Sequence, residues 1–240
     1  VDLSLAQLAA LGATVAAVLE FSHQGLLFYL TAFAFTIVGA AIFTYTRHVR
    51  LNLSQEAIVG IVYAVASALM VLVLSHAPHG AEHIKNILVG YLLFTTWDQV
   101  LKITIIYAVL GLIQWIFARR FIRLSWNPET ITSEPFAKWW DFFFYILLGV
   151  AITLSVQVAG VLLVFSFLIV PAVITRLFSE NLGIRLSMGW AIAAVASIMG
   201  LAASWHWDLP TGATIITALG MLLVIAITVR SFWHSPDRSK

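Results

Sequence analysis

Cysteine is absent from the 240 residues, which excludes disulfides, thiolate metal centres and cysteine nucleophiles. Charge is scarce too. Asp, Glu, Lys and Arg make up 10% of the chain, against about a quarter in a soluble domain. The formal net charge of +2 is scattered between hydrophobic runs, so no basic patch is offered to a nucleic acid, and none is expected as a partner. HExxH is missing, and no apolar run has a His in its interior. Intramembrane metalloprotease and Ser–His hydrolase chemistry therefore lack their residues, and the expectation is a protein that is not an enzyme.

Apolar surface is what the chain has in abundance: 61% of residues are hydrophobic and the mean hydropathy is +0.98. No soluble fold of this size hides so much, so the bilayer acts as solvent for most of the chain, with membrane lipid as a partner. In hydrocarbon every backbone polar group needs an internal partner, which permits helices or a closed barrel. Barrel strands would alternate apolar and polar residues. Here the runs are continuous, as in GLLFYLTAFAFTIVGAAIFTY, long enough to cross a core of roughly 30 Å as a helix. The fold class is all-α: a polytopic transmembrane helical bundle with short broken or re-entrant helices.

Spans are predicted near Leu3 to Leu19, Leu26 to Tyr45, Ala57 to Ser75, Val100 to Phe117, Trp139 to Leu154, Ser187 to Ser204 and Thr211 to Val229. Arg47, His48 and Arg50, then Arg119, Arg120, Arg123 and Lys138, then Arg176 and Arg185, then Arg230, Arg238 and Lys240 occupy alternate connections and the C-terminus. The other connections hold only Lys85. By the positive-inside rule the basic set, with the C-terminus, is cytoplasmic. Trp115, Trp139, Trp140, Trp205 and Trp207 sit near span ends, as an aromatic belt does.

Lys138 and Arg176 on one side force the apolar stretch from Trp139 to Val170 to cross and return. As one helix it would run about 48 Å, too long for a single crossing. Ser155, Gln157, Ala159 and Gly160 are the expected break, and Pro171 the expected end of the returning piece. A second short apolar piece, Ile87 to Thr96, follows the loop His76 to Asn86. Interrupted membrane segments are tolerated where they are buried in protein or line a cavity, so both pieces point toward a pathway.

Three stretches together resemble the zinc and manganese branch of ABC-type metal-uptake permeases: VDLSLAQLAALGATVA at Val1 to Ala16, VAGVLLVFSFLIVPAVITRLFSENL at Val158 to Leu182, and DLPTGATII at Asp208 to Ile216. The last matches the motif that opens the family's final span, with Asp208, Pro210 and Gly212 on the outer side. The resemblance covers essentially the whole chain and implies a single transmembrane permease domain over residues 1–240, preceded in the family by one further span. It implies a multi-pass protein of the bacterial cytoplasmic (inner) membrane, forming a homodimer. An ABC ATP-binding subunit would dock from inside and an extracytoplasmic metal-binding receptor protein from outside. The segment Ala172 to Gly183, following Pro171, then becomes a cytoplasmic coupling helix, with Arg176, Glu180 and Asn181 exposed to the ATPase. Arg176 and Glu180 also stand at i, i+4, where they could pair. No GxxxxGK[ST] occurs, so ATP belongs to the partner subunit and this chain binds no cofactor of its own. The transported divalent metal ion is the cargo: zinc, manganese or iron. Permeases for metal chelates, siderophores or vitamins, and a passive channel, are the alternatives.

Asp2 matches the family motif and offers a hard oxygen ligand inside the membrane, where acids mark pathways. Gln7 stands where zinc carriers of the family usually place a His, and an amide is the weaker ligand for zinc. Glu20, at a helix end, reads as solvated. The loop HAPHGAEH brings His76, His79, Glu82 and His83 within eight residues, a set that suits a metal-collecting mouth or an ordinary solvated loop. Asp208 reads as a cap for the helix opening near Thr211.

Overall fold

The structure, a computed structural model, describes residues 2–21, 25–48, 54–75, 90, 92, 95–126 and 136–233, without the side chains at 2, 124–126 and 233. Eight α-helices are found among them: α1 (Asp2–Val18), α2 (Leu26–His48), α3 (Gln55–Leu74), α4 (Trp97–Trp126), α5 (Ala137–Ala159), α6 (Val161–Phe178), α7 (Leu182–Trp207) and α8 (Thr211–Trp233). All but α1 are long and apolar enough to cross a membrane. Each predicted span falls on one of them, two running one residue past its C-terminal end, at Leu19 and Ser75. The short piece at Ile87 to Thr96 lies mostly outside the described residues. The helices form two compact units, Val1–Val161 and Leu162–Lys240.

The first unit is built around α1. Every residue from Ser4 to Thr14 is buried, because α2, α3 and α5 pack against this one helix. Lipid is as apolar as leucine, so helices associate in it by close van der Waals contact, which small residues allow. The α1 sequence supplies them. A Cβ at Gly12 would lie 2.7 Å from the Ala32 Cα, so the α1 and α2 backbones touch there. Ala13, Ala16, Phe28 and Ala32 form the adjoining cluster. The helix ends in a left-handed turn at Glu20 (φ 59°), with the Phe21 N–H donating to Ala16 O and the Glu20 N–H to Ala17 O. These bonds satisfy carbonyls that would otherwise be orphaned, and the Glu20 side chain is exposed, as its sequence position suggested.

The α2–α5 contact is similarly close. Gly149 faces Thr36, whose Oγ1 would be 3.2 Å from a Cβ at that glycine. Thr153 Oγ1 donates across the same contact to Thr36 Oγ1 at 3.5 Å. On the far side of α5, the Tyr107 hydroxyl of α4 bonds the Ala151 carbonyl (2.9 Å) and the Ser155 hydroxyl. Nearer the Arg end of α4, Phe117, Phe121, Trp140 and Phe143 pack ring against ring in edge-to-face and tilted pairs, with the Arg120 guanidinium 4.7 Å above the Trp140 ring. Outward residues such as Leu101, Leu112, Trp115 and Ile116 are exposed, which is the stable arrangement when lipid is the solvent.

The expected break after α5 is at Gly160, with φ 79° and ψ 159°, a region essentially reserved for glycine. Gly90 (φ 74°) packs onto the same point, where a Cβ would lie 2.6 Å from the Gly160 nitrogen. Pro171 does not end the following helix, contrary to expectation. Helix α6 runs through it to Phe178, so no separate coupling helix forms after it. The reason lies in the run FLIVPAVI around it, which has no polar side chain to take over freed backbone groups. An interior proline costs about 3 kcal/mol. A whole turn of unpaired carbonyls in hydrocarbon costs several kcal/mol for each group. The chain turns only where polar residues arrive. Ser179 Oγ accepts from the Asn181 N–H (3.2 Å), and Asn181 Oδ1 accepts from the N–H groups of Gly183 (3.0 Å) and Ile184 (3.5 Å), capping α7.

In the second unit α7 and α8 meet at Gly200, where a Cβ would lie 2.6 Å from the Ile215 nitrogen. The turn joining them corrects another expectation. Asp208 does not cap α8. It is the left-handed C-cap of α7 (φ 52°), its N–H bonded to Ser204 O. The connection is held by Ser204, whose hydroxyl donates to Leu209 O (2.7 Å) and lies 2.9 Å from the Thr211 hydroxyl. Pro210 precedes the first turn of α8, where its missing N–H is no loss.

Replacing Gly12 with valine is expected to lower stability by about 1–3 kcal/mol through overpacking against Ala32. Gly160→Ala is expected to cost about 1–3 kcal/mol through backbone strain. Thermal unfolding in detergent checks both, and a neutral Gly12→Val would remove the close α1–α2 approach.

Candidate functional site

The buried polar residues of α1 are Ser4, Gln7 and Thr14. At 100° per residue they fall within an arc of about 80°, so the most buried helix of the first unit carries one polar stripe. Gln7 is 3% exposed. Asp2 opens this helix, and its side chain is not among those described.

On α5, which packs against both α1 and α2, Thr153 bonds Thr36 of α2 and Gln157 stands one turn further on. Both amide atoms of Gln157 are buried with no hydrogen-bond partner among the described residues. Leaving a buried amide unpaired costs about 1–3 kcal/mol for each group. Its oxygen is a hard donor that suits a divalent cation, and its N–H groups suit a bound water or anion. The residue lies three positions before the Gly160 break. An open groove of about 450 Å³ flanks the same stretch, lined by Leu92, Thr95, Trp97, Val100, Ile103, Thr104 and Val158. Among the described residues its lining holds no ionisable group.

His76, His79, Glu82 and His83 lie outside the described residues. Among the described residues no three His, Asp or Glu side chains converge as metal ligands would. Arg176 and Glu180 are both exposed but do not pair. Arg176 is in the last turn of α6, whereas Glu180 lies in the connection, where helical i, i+4 geometry no longer applies. From Phe178 to Leu186 the turn presents Phe178, Glu180, Asn181, Leu182, Gly183, Ile184 and Leu186 to the outside, mixing apolar and polar side chains around a three-residue connection. Asp208 and Pro210 are exposed at the opposite end of α7, while Gly212 is buried.

Residues 3–230 match the ABC 3 transport family. The chain belongs to that family. Its similarity to curated members is distant but long. It is 25% identical over 207 residues to the manganese transport system membrane protein MntC of Listeria monocytogenes, covering 85% of this chain and 72% of that one. It is 23% identical over 176 residues to a Haemophilus influenzae protein described as a probable iron transport system membrane protein, covering 73% of this chain and 62% of that one. Among solved structures, PsaBC from Streptococcus pneumoniae in complex with Fab shares the fold at a TM-score of 0.74 and 19% identity, over 94% of this chain and 79% of that one. An inward-facing metal-chelate type ABC transporter shares it at a TM-score of 0.57 and 16% identity, over 96% and 67%.

For a member of a transport family, the informative residues are those that break the apolar rule inside the helices. Sequence reasoning found Asp2 and Gln7 but read Gln157 only as part of a helix break. It passed over Asp141 altogether. Asp141 is buried near the start of α5, with Oδ1 accepting from Arg47 Nη1 of α2 at 3.1 Å. Both residues were visible as polar letters in apolar runs. Asp141 was concealed by its position directly after Trp139 and Trp140, where a headgroup-level residue is ordinary.

Gln157→Leu is expected to raise the unfolding free energy, by about 1 kcal/mol or more, since it removes two unpaired buried groups. Uptake by the assembled transporter is expected to fall. Loss of stability would show that Gln157 has a partner in the fold and no place on a pathway.

Proposed function

We propose that this chain is the membrane-spanning subunit of an ATP-driven importer for divalent metal ions, manganese, iron or zinc. The observation that carries the reading is the family match along residues 3–230. The names of relatives point to the ion class: manganese for the Listeria protein, iron for the Haemophilus one. The interior agrees with that cargo. Ser4, Gln7, Thr14 and Gln157 are neutral oxygen donors, which suit a hard ion such as manganese better than they suit zinc. Asp2 would add the one carboxylate of the α1 path, and His76, His79, Glu82 and His83 would gather ions at its mouth.

Energy comes from a separate ATP-binding subunit, since no P-loop is present in the chain. Its docking surface on this chain is the exposed turn from Phe178 to Leu186 with Arg176 beside it. Movement of that turn would shift α6 and α7, and a homodimer of the chain would open its path to one side at a time. Asp208, Pro210 and the α7–α8 turn would face the extracytoplasmic metal-binding receptor. The basic helix ends and the C-terminus would lie in the cytoplasm of a bacterial cell, with the helices in its inner membrane.

A carrier of metal chelates is the second reading, favoured by the fold shared with a metal-chelate type transporter and by a 25% identical Yersinia pestis relative named as a chelated iron transport system membrane protein. Uptake of labelled manganese, iron and zinc into vesicles holding the permease, its ATPase and its receptor decides between them. ATP-dependent uptake of one free ion is expected, and transport of chelates alone would overturn it. In the same vesicles, reversing the charges of Arg176 and Glu180 is expected to lower uptake at least about tenfold while the helices stay folded. Unchanged uptake and ATPase assembly would move the docking surface elsewhere.

A further inference from the structure

The basic end of α2 and the first turns of α5 hold a second polar group that the pathway reading does not use. Thr44, Arg47 and His48 are on α2, and Asp141 and Tyr145 on α5. The His48 and Asp141 side chains are 4% and 5% exposed. Arg47 donates to Asp141 Oδ1 and fixes that oxygen. The Tyr145 hydroxyl interacts with Arg47 and with Gln55 of α3. Arg47 and Tyr145 are thus the other charged or titratable groups facing the cluster from the packed elements, among the described residues.

Among the described residues, three buried atoms of this group remain without a hydrogen bond: Asp141 Oδ2, His48 Nε2 and Thr44 Oγ1. Their orientation is set by their neighbours. His48 Nδ1 lies 2.9 Å from the Thr44 carbonyl oxygen. A carbonyl only accepts, so Nδ1 carries a proton, and Nε2 is turned toward Asp141 Oδ2 at 3.7 Å. Neither Nε2 nor Oδ2 makes a hydrogen bond among the described residues, so the gap between them is open to a shared cation.

The distance discriminates between cations. A shared proton draws nitrogen and carboxylate oxygen to about 2.7–2.9 Å. Two ligand atoms each about 2.1 Å from one transition-metal ion, at bond angles of about 110° to 125°, stand about 3.4 to 3.7 Å apart. The supports are also those of metal ligands: the imidazole donates its other N–H to a backbone carbonyl, and the second carboxylate oxygen is held by Arg47. We propose that His48 Nε2 and Asp141 Oδ2 bind a divalent transition-metal ion between α2 and α5, with the Thr44 hydroxyl or water completing its coordination. The Arg47 charge opposes a bound cation, so occupancy is weak and exchangeable, as a transporter requires of any stop along or beside its route. The proposal rests on the transport reading only for the class of ion.

The test is a cobalt(II) titration of the full-length protein in nanodiscs at about pH 7.5, with His76, His79 and His83 replaced by Asn to remove binding by the loop. Visible d–d absorption and competition by zinc are recorded. His48→Gln is expected to weaken cobalt binding at least about tenfold, and Asp141→Asn to do the same. If Asp141→Asn does not fold, because Arg47 loses its partner, His48→Gln decides alone. Cobalt binding that is unchanged by His48→Gln overturns the site. So does an unfolding temperature that shifts with pH through His48 with no His48-dependent cobalt binding, which would make the occupant a proton. The transport and binding outcomes separate: lost ATP-driven uptake with intact cobalt binding removes the proposed function and leaves this site, and the converse result leaves the importer without it.

Discussion

A hydrocarbon solvent offers no hydrogen bonds, and this chain is arranged around that fact. Among the described residues its long apolar runs are helical, and several helices stop where a side chain or a left-handed backbone conformation takes over the orphaned groups. Glu20 and Asp208 end α1 and α7 in left-handed turns, Asn181 starts α7 with its own carboxamide, and Gly160 bends the chain where no other residue could. Pro171 shows the rule from the other side. One lost ladder bond inside α6 is tolerated because ending the helix there would free many more.

The same constraint shapes the packing. Hydrophobic burial cannot drive helices together when lipid is equally apolar, so association depends on close approach and a few shared hydrogen bonds. Gly12 against Ala32 and Gly200 against Ile215 bring backbones into contact, and Gly149 makes room for the Thr36 side chain. Thr153 to Thr36 and Ser204 to Thr211 then bond across those contacts. A helix as rich in alanine and glycine as α1 can sit at the centre of its unit because it takes so little room.

Against this background, a polar atom left without a partner carries meaning. Gln157 on α5, and Thr44, His48 and Asp141 at the α2–α5 contact, hold buried polar atoms that make no hydrogen bond among the described residues. In an importer such atoms would meet an ion that sheds water. The buried polar stripe of Ser4, Gln7 and Thr14 lies in the same unit, on a helix surrounded by others. The exposed turn between α6 and α7 is the complement of these interior groups, a surface of mixed character at which force could be applied.

Hydropathy runs and the positions of Arg and Lys were enough to locate the helices, because in a bilayer the length of an apolar run and its charged ends leave few alternatives. A break near Gly160 followed from length and charge together, since the run from Trp139 to Val170 exceeds one crossing and has Lys138 and Arg176 on one side, with Ser155, Gln157, Ala159 and Gly160 to supply it. What depends on which atoms meet was decided by tertiary structure. Asp141 finds Arg47 at a separation of 94 residues, and nothing in either local sequence announces the partner. Whether Pro171 ends a helix turned on competing costs summed over a whole turn. Whether Asp208 caps the helix before or after it turned on a left-handed φ that Asp readily adopts. Local chemistry determined what could cross the membrane and where it had to stop. Only the packed fold decided which polar groups are paired and which stand vacant, because pairing is a property of distances that sequence spacing does not contain.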